Sequence, residues 1–343
     1  MADDLRKRLL RTRRVATPWG DDETRGITNT RLDELLDYWA NGFDWAIHER
    51  RINDLPWVTV PAGGADLRLI HQRAADPDAP VVVLLHGWPD SVLRFERLLP
   101  LLTDLHVVVP ALPGFPFAAP LDSRGLSANR IAELVAGALE ALGYPRYILS
   151  GGDLGGTVAE ILAADHPERV AALHLTNVAP LRALTADPAT LPPEAAAYLA
   201  GTAQWFRTEG GYIHQQSTRP NTLAVALADS PAGLAAWKLD RWSDPGAFTP
   251  DDLLTWVTAY WSTGTIATSF STYAEPVTLP ARVETPTVLS VFPHDLKPEP
   301  RAYAEAFLNL HEYAEHHSGG HFAAWERPHA YAEDLRRALK LTT

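Results

Sequence analysis

Short runs of apolar and β-branched residues recur along the chain and alternate with segments of helical periodicity. The runs lie at 80–85, 106–109, 147–149, 170–175 and 287–291. A run that is apolar at every position is typical of a strand buried on both faces, as in a parallel sheet covered by helices. Apolar residues recur at helical spacing at 127–142, 158–166, 301–307 and 327–339. The alternation predicts an α/β fold with a mostly parallel central sheet and helices on both faces.

Two stretches depart from this alternation. Residues 1–60 contain a basic amphipathic segment at 5–11, whose leucines we expect to dock on the protein's own surface rather than on a membrane, and a helix from Thr30 to about Trp45. Residues 179–280 are helical and rich in turns, which predicts a cap inserted over the carboxyl ends of the strands. We therefore expect an N-terminal arm (1–60), a first core part (61–178), the cap (179–280) and a second core part (281–343).

The sequence around Asp153 has the layout of a nucleophile elbow. An apolar strand runs into Gly151-Gly152, presents Asp153, and passes Gly155-Gly156 into a helical pattern. In such an elbow the nucleophile lies on a strained turn between a strand and a helix, so its neighbours must be small. The helix N-terminus beside it favours an anion. The alternative interpretation is a turn aspartate that caps a helix beginning at Val158.

Composition and charge narrow the classes of function. The chain has 30 Lys and Arg against 42 Asp and Glu, and the resulting net charge of −12 disfavours nucleic-acid binding. It has no cysteine, which excludes disulfides, thiolate metal sites and a cysteine nucleophile. There is no run of 18 apolar residues and no apolar N-terminal signal, so we expect a cytoplasmic protein without stable membrane insertion. We expect no cofactor, and a homo-oligomer is left open.

Asp295 and His321 complete a candidate catalytic triad. Asp295 follows the last predicted strand and His321 follows a glycine turn, so the chain order is nucleophile, acid, histidine. A carboxylate nucleophile suits displacement at saturated carbon, because attack on a carbonyl would give an anhydride. The histidine would then activate water for attack on an ester of Asp153. The backbone N–H groups of Trp88 and Leu154 would hold the resulting oxyanion.

Two leaving groups fit this chemistry, an epoxide oxygen and a halide. An epoxide needs a proton donor opposite the nucleophile, and the cap offers the phenols of Tyr212 and Tyr273. A halide generally needs an indole N–H beside the nucleophile, where this sequence has Leu154. Four further residues are expected to line the substrate pocket: His86, Pro89, Trp237 and Phe322.

Further motifs extend over nearly the whole chain. They are Tyr38-Trp39 with Phe43-Asp44-Trp45, His86-Gly87-Trp88-Pro89, Leu112-Pro113-Gly114-Phe115, Gly151-Gly152-Asp153, 229–237, Tyr260-Trp261 with 263–266, and 319–322 with Glu326-Arg327-Pro328. Together they resemble the epoxide hydrolases of the α/β-hydrolase superfamily, specifically the microsomal-type branch. The resemblance implies Asp153 as nucleophile, His321 as base, Asp295 as its charge partner, and Tyr212 with Tyr273 as the ring-opening pair.

The chain departs from that family in two places. Leu154 stands where a tryptophan commonly follows the nucleophile, which alters one pocket wall but keeps the backbone N–H. Pro116 stands where a glycine is usual, which changes the local loop. We expect no membrane anchor of the mammalian type.

Other functions remain open on the sequence alone. A haloalkane-dehalogenase-like hydrolase shares the carboxylate nucleophile, whereas an esterase lacks its elbow serine here. A non-catalytic small-molecule binding protein would have one triad residue absent or out of reach. A metal site built from His311, His316, His317 and His321 is disfavoured, because no further ligand is spaced to complete it.

Overall fold

The computed structural model describes residues 2–121, 125–240 and 245–342. The strands are β1 (Trp57–Ala62), β2 (Ala65–Gln72), β3 (Val81–Leu85), β4 (His106–Pro110), β5 (Tyr147–Gly151), β6 (Val170–Leu175), β7 (Val283–Val291) and β8 (Leu308–Glu315). They form one sheet in the order β1-β2-β4-β3-β5-β6-β7-β8. β2 pairs antiparallel with β1 and β4, and every other neighbouring pair is parallel. The predicted mostly parallel α/β sheet is confirmed.

The α-helices lie before β1, between β4 and β8, and after β8. Those of the first 60 residues are α1 (Ala2–Leu10), α2 (Asn29–Asn41) and α3 (Trp45–Asn53). α4 (Ala128–Ala141) and α5 (Leu154–Asp165) follow β4 and β5. Between β6 and β7 come α6 (Arg182–Thr185), α7 (Pro193–Thr208), α8 (Gly211–Thr218), α9 (Pro220–Asp229), α10 (Pro231–Leu239), α11 (Pro250–Thr263), α12 (Ile266–Ser269) and α13 (Ser271–Ala274). The last are α14 (Arg301–Phe307), α15 (Ala323–Glu326) and α16 (Pro328–Lys340).

The central strands are buried as their sequence predicts. Every residue of β3, β4 and β5 is buried, which is the burial expected of strands covered by helices on both faces. Helices α5 and α16 both pack on β6 and β7, and α4 packs on β1 and α5. The carboxyl ends of β3, β5, β6 and β7 therefore meet at one edge of a rigid core, which is where ligands bind in such sheets.

The N-terminal arm differs from the prediction in its second helix. The predicted helix from Thr30 to Trp45 is interrupted at Gly42, where a Cβ atom would lie 2.5 Å from the Tyr38 ring. Thr28 caps α2 by accepting a hydrogen bond from Arg31 N. In α1, Leu5 and Leu9 are buried against the rest of the protein, so the docking of this segment is as expected.

The described residues between 179 and 280 form helices α6 to α13, and we call segment 179–280 the cap. Tyr260 of α11 donates a hydrogen bond of 2.9 Å to the backbone oxygen of Asp90 in the core. Among the described residues, no helix combines the length and apolar character that crossing a bilayer requires.

Candidate active site

Asp153 lies on the turn between β5 and α5 with φ of 55° and ψ of −131°, a conformation that non-glycine residues rarely adopt. A Cβ atom on Gly152 would lie 2.0 Å from Thr176 Oγ1, and one on Gly155 would lie 2.0 Å from the backbone oxygen of Leu85. The backbone N–H of Asp153 donates to Asn177 Oδ1 at 2.8 Å. The helix begins at Leu154 rather than at Val158, so Asp153 is its N-cap residue, and its positive φ makes it a strained elbow residue as well.

Two backbone N–H groups converge on one oxygen of this carboxylate. Asp153 Oδ1 accepts a hydrogen bond from Trp88 N at 3.0 Å and from Leu154 N at 2.7 Å. A Cβ atom on Gly87 would lie 2.5 Å from the same oxygen, so the turn after β3 tolerates only glycine there. The pair has the geometry of an oxyanion hole, already occupied by an oxygen of the nucleophile candidate.

The other oxygen of Asp153 faces the histidine. His321 Nε2 lies 3.7 Å from Asp153 Oδ2, and His321 Nδ1 is hydrogen-bonded to Asp295 Oδ1 at 2.7 Å. Burial alone would lower the pKa of His321, but the charges of Asp295 and Asp153 outweigh it and the pKa is raised. Burial would likewise raise the pKa of Asp295, but His321 outweighs it and that pKa is lowered. The three side chains that the sequence placed far apart thus form one contact chain.

The two cap tyrosines lie against Trp88. This residue belongs to the turn after β3, residues 86–89, which we call the oxyanion turn. The Tyr212 ring stacks on Trp88 with ring centroids 5.4 Å apart, and the Tyr273 ring meets Trp88 edge-on at 5.8 Å. The two phenol rings are 6.3 Å apart, and both line the cavity that Asp153 and His321 line. Burial and the charge of Asp153 raise the pKa of Tyr273 well above its usual value, so its hydroxyl stays protonated and can donate.

The cavity has a volume of about 260 Å³ and is mostly apolar. Its apolar walls come largely from the cap, with one wall from the elbow helix. They include Leu154, Val178, Leu181, Leu184, Trp205, Phe206, Ile213 and Val277. A cavity of this composition suits a small apolar molecule with few polar groups.

None of the four further residues expected in the pocket is among the described residues that line this cavity: His86, Pro89, Trp237 and Phe322. His86 is fully buried behind the turn, where its Nε2 accepts a hydrogen bond from Leu112 N at 3.1 Å. Pro89 is buried directly after Trp88.

Trp237 donates to Gln216 Oε1 at 2.9 Å instead of facing the cavity. Phe322 is buried, with Trp256 and Phe248 packed edge-on against its ring. These side chains build the walls behind the site, and the pattern of the sequence did not reveal which way they point.

A buried ion pair that the sequence analysis missed connects the two halves of the site. Asp90 Oδ1 accepts from Gly87 N at 2.8 Å, and its Oδ2 accepts from Arg94 Nη1 at 2.8 Å. Arg94 Nη2 also donates to the backbone oxygen of His321. Burial would raise the pKa of Asp90, but Arg94 outweighs it and the pKa is lowered. The spacing of four residues between Asp90 and Arg94 was the available signal for this pair.

No group of three or more His, Asp or Glu side chains suited to a metal ion occurs among the residues the structure covers. Of the four histidines considered for such a site, His316 stacks on Phe292 and bonds to Asp334 Oδ2 at 2.6 Å. His321 belongs to the contact chain with Asp153 and Asp295.

Two family models match the chain. Residues 1–95 match the epoxide hydrolase N terminus, and residues 80–220 match the α/β hydrolase fold. Among solved structures, Aspergillus niger epoxide hydrolase has a TM-score of 0.87 and 30% identity, with 99% of this chain and 93% of that chain covered. The juvenile hormone epoxide hydrolase of Bombyx mori has a TM-score of 0.86 and 28% identity, with 99% and 91% covered.

The sequence relatives agree with the structural ones. The chain is 36% identical to a Stigmatella aurantiaca protein provisionally named an epoxide hydrolase, over 98% of this chain and 82% of that protein. It is 30% identical to juvenile hormone epoxide hydrolase 2 of Ctenocephalides felis, over 94% and 79%. The resemblance inferred from the motifs is confirmed. The chain belongs to the epoxide hydrolase family, within the α/β-hydrolase fold.

Proposed function

We propose that this protein hydrolyses an epoxide to a vicinal diol through a covalent ester on Asp153. The observation that carries the proposal is that the two oxygens of that carboxylate have different partners. Oδ1 is held by two backbone N–H groups, and Oδ2 faces His321 at 3.7 Å. Membership of the epoxide hydrolase family supports the reaction class.

In the first step Asp153 Oδ2 attacks one ring carbon of the epoxide. The new bond joins Oδ2 to carbon, and the carbon–oxygen bond of the strained ring breaks. Tyr212 and Tyr273 donate hydrogen bonds to the departing oxygen, and one phenol transfers its proton to it. The apolar cavity favours this step because it excludes water while the ester forms.

In the second step water attacks the carbonyl carbon of the Asp153 ester. His321 Nε2 removes a proton from that water while Asp295 holds the ring in place through Nδ1. The negative charge develops on Oδ1, which already accepts bonds from Trp88 N and Leu154 N. The intermediate then releases Oδ2 with the diol, which takes the proton held by His321. The carboxyl group keeps the oxygen of the water, and the proton on that oxygen returns to the tyrosinate, which restores the Asp153 carboxylate.

The test uses two variants and intact-protein mass spectrometry with an aryl epoxide. Asp153→Asn removes the nucleophile, so we expect no diol and no adduct. His321→Gln keeps the nucleophile and loses the base, so we expect an adduct of the mass of the epoxide, consumption of about one equivalent of epoxide, and little release of diol. In labelled water, a single turnover of the wild type should place label in Asp153 and not in the first diol.

The double variant Asp153→Asn with His321→Gln is the matched control and should carry no adduct. Diol formation by Asp153→Asn at the wild-type rate would refute the ester. An adduct that persists in the double variant would show that another side chain reacts.

A further inference from the structure

The active-site cavity continues beyond Asp295 under helix α7. Its wall there is formed by Tyr198 and Thr202 of α7, by Lys297 and Glu299 of the loop after β7, and by Tyr303 of α14. The proposed reaction uses none of these five side chains. All five carry polar groups, and a ligand that reaches this end must desolvate those groups or pair with them.

The hydroxyl of Tyr303 is buried without a partner. Tyr303 is 2% exposed, lines the cavity, and its OH makes no hydrogen bond within the part of the chain that the structure describes. A buried hydroxyl without a partner destabilises a protein by its lost hydration, so such groups are rare. The ring itself is well packed against Tyr198, with centroids 4.7 Å apart, and against Phe307 at 5.1 Å. The packing fixes the hydroxyl at the cavity wall.

Glu299 supplies a second polar group at the same end. Its side chain is buried, and one carboxyl oxygen accepts a hydrogen bond from Val178 N. Burial, together with the charge of Asp295, raises the pKa of Glu299 well above its usual value. This shift favours the neutral carboxyl group, whose O–H can donate a hydrogen bond.

The charges around the cavity indicate which ligand group these donors suit. Asp153, Asp295 and Glu275 contribute negative charge, and Lys297 is the one Lys or Arg side chain among the described residues that line the cavity. An anionic ligand would meet net repulsion there. A neutral oxygen acceptor would meet two donors without that cost.

We propose that Tyr303 and Glu299 form a polar subsite that binds a neutral oxygen acceptor of the substrate, such as a ketone or ester carbonyl, remote from the epoxide ring. The substrate class is then an apolar epoxide that carries such an oxygen, rather than a plain hydrocarbon epoxide. This inference rests on the proposed function for the position of the epoxide at Asp153.

The experiment compares terminal alkyl epoxides with matched epoxides in which one methylene is replaced by a ketone carbonyl, stepped along the chain. At one carbonyl position we expect the wild type to prefer the ketone by about 5-fold or more in kcat/KM. Tyr303→Phe should bring that ratio close to one, whereas Glu299→Gln should retain most of it because the amide can also donate.

Tyr147→Phe is the matched control. Tyr147 has another buried hydroxyl without a partner among the described residues, but it lies in β5 and does not line the cavity. This variant should keep the wild-type ratio. Tyr303→Phe should also melt no lower than the wild type, because it removes a hydroxyl that has no protein partner.

A binding measurement separates the two proposals. In the Asp153→Asn background, the dissociation constants of the same ligand pairs should show the same preference and the same loss on Tyr303→Phe. If no epoxide is hydrolysed but this preference appears, the proposed reaction fails and the subsite stands. Three outcomes would overturn the subsite. The first is a wild-type ratio near one at every carbonyl position, and the second is an equal effect of Tyr303→Phe on both ligands. The third is tighter binding of a matched carboxylate.

Discussion

At the scale of single residues, the proton affinity of His321 changes during the proposed cycle. In the free protein the charges of Asp295 and Asp153 raise its pKa against the effect of burial. Formation of the ester converts Asp153 into a neutral group, so one of the two charges that raise the pKa disappears. The histidine thus releases its proton more readily at the stage where a neutral base is needed.

The pH dependence of ester hydrolysis tests this account. Protonated His321 cannot act as a base, so the rate of ester decay in a single turnover should fall as the pH falls through the pKa of His321 in the ester. Asp295→Asn removes the strongest favourable partner of the imidazolium, which lowers that pKa. We therefore expect the acid limb of the decay rate to move to lower pH in this variant, with a plateau reduced by about 100-fold because the ring loses its orientation.

Rapid-quench mass spectrometry of the ester at each pH measures the rate of ester decay. It gives both the pH at which the rate falls and the plateau rate above it. Asp104→Asn is a suitable control, since Asp104 pairs with Arg336 on the surface. A limb that stays in place in Asp295→Asn, or that moves to higher pH, would contradict the role given to Asp295.

At the scale of elements, the ion pair between Asp90 and Arg94 holds three segments together. Asp90 bonds to Gly87 N of the oxyanion turn, and Arg94 donates to the backbone of the His321 loop. Tyr260 of the cap donates to the backbone oxygen of Asp90. The pair is almost fully buried, with side-chain exposures of 0% and 1%. The pair fixes the distance between the oxyanion turn and His321.

Removing one partner of this pair should lower the free energy of unfolding more than replacing both partners. Arg94→Leu leaves the Asp90 carboxylate buried without its cation, and we expect the free energy of unfolding to drop by about 3–5 kcal/mol. Asp90→Asn with Arg94→Leu removes the buried charge while keeping an acceptor for Gly87 N, so it should regain part of that loss. Urea unfolding of the four proteins of the cycle measures the coupling.

The surface pair of Arg336 with Asp104 provides the contrast, because its side chains are 38% and 58% exposed. Arg336→Leu should cost less than about 1 kcal/mol. If the double variant at Asp90 and Arg94 is no more stable than Arg94→Leu alone, the buried charge is not the source of the loss.

The sequence predicted those elements whose burial is uniform. The apolar runs of β3 and β5 are buried at every position, so their composition alone reveals them. β8 was not predicted, because it is only partly buried and carries His311, Glu312 and Glu315 among its apolar residues. The break at Gly42 was also missed, since it depends on contact of the backbone with the Tyr38 ring.

The residues of the candidate site were also predictable only in part. Asp153, Asp295 and His321 each follow a strand or a glycine turn in a recognisable order, and the structure brings them together. The directions of side chains were not predictable, because they depend on contacts with distant segments: His86 bonds to Leu112 N, and Phe322 packs against aromatic rings of the cap. Glu299 and Tyr303 lie in no motif, so only the cavity that both line points to the role proposed for them.

At the scale of the whole molecule, a buried polar chain runs under the elbow and joins three strands to the last helix. Ser150, three residues before Asp153, bonds to His174 Nδ1 at 2.9 Å, and His174 Nε2 bonds to Ser290 Oγ at 2.9 Å. Ser290 donates to Asp334 Oδ2 at 2.6 Å, and Asp334 bonds to His316. The chain thus connects β5, β6, β7 and α16. Neutral His174 suits this chain, because one ring nitrogen can donate to a hydroxyl oxygen while the other accepts from a hydroxyl group.

This chain sets the acid limit of the fold. Burial lowers the pKa of His174 to about 4, and the charge of Asp334 offsets only part of that effect. Because the folded pKa lies below the unfolded value of about 6.5, the stability that neutral His174 gives is complete above pH 6.5 and is lost as the pH falls towards 4. The loss should reach about 3 kcal/mol.

Urea unfolding between pH 7 and pH 4 measures this slope for the wild type and for His174→Gln. The variant should be less stable at pH 7, because its amide cannot fill the imidazole site, but it should lose about 3 kcal/mol less on acidification. Carboxylates titrate in the same range in both proteins and cancel in the difference. His311→Gln, at an exposed position of β8, should keep the wild-type slope. Equal slopes of the free energy of unfolding against pH for the wild type and His174→Gln would mean that other groups set the acid limit. The two proteins differ only in the imidazole, so the free energy of protonating it must appear as a difference between the slopes.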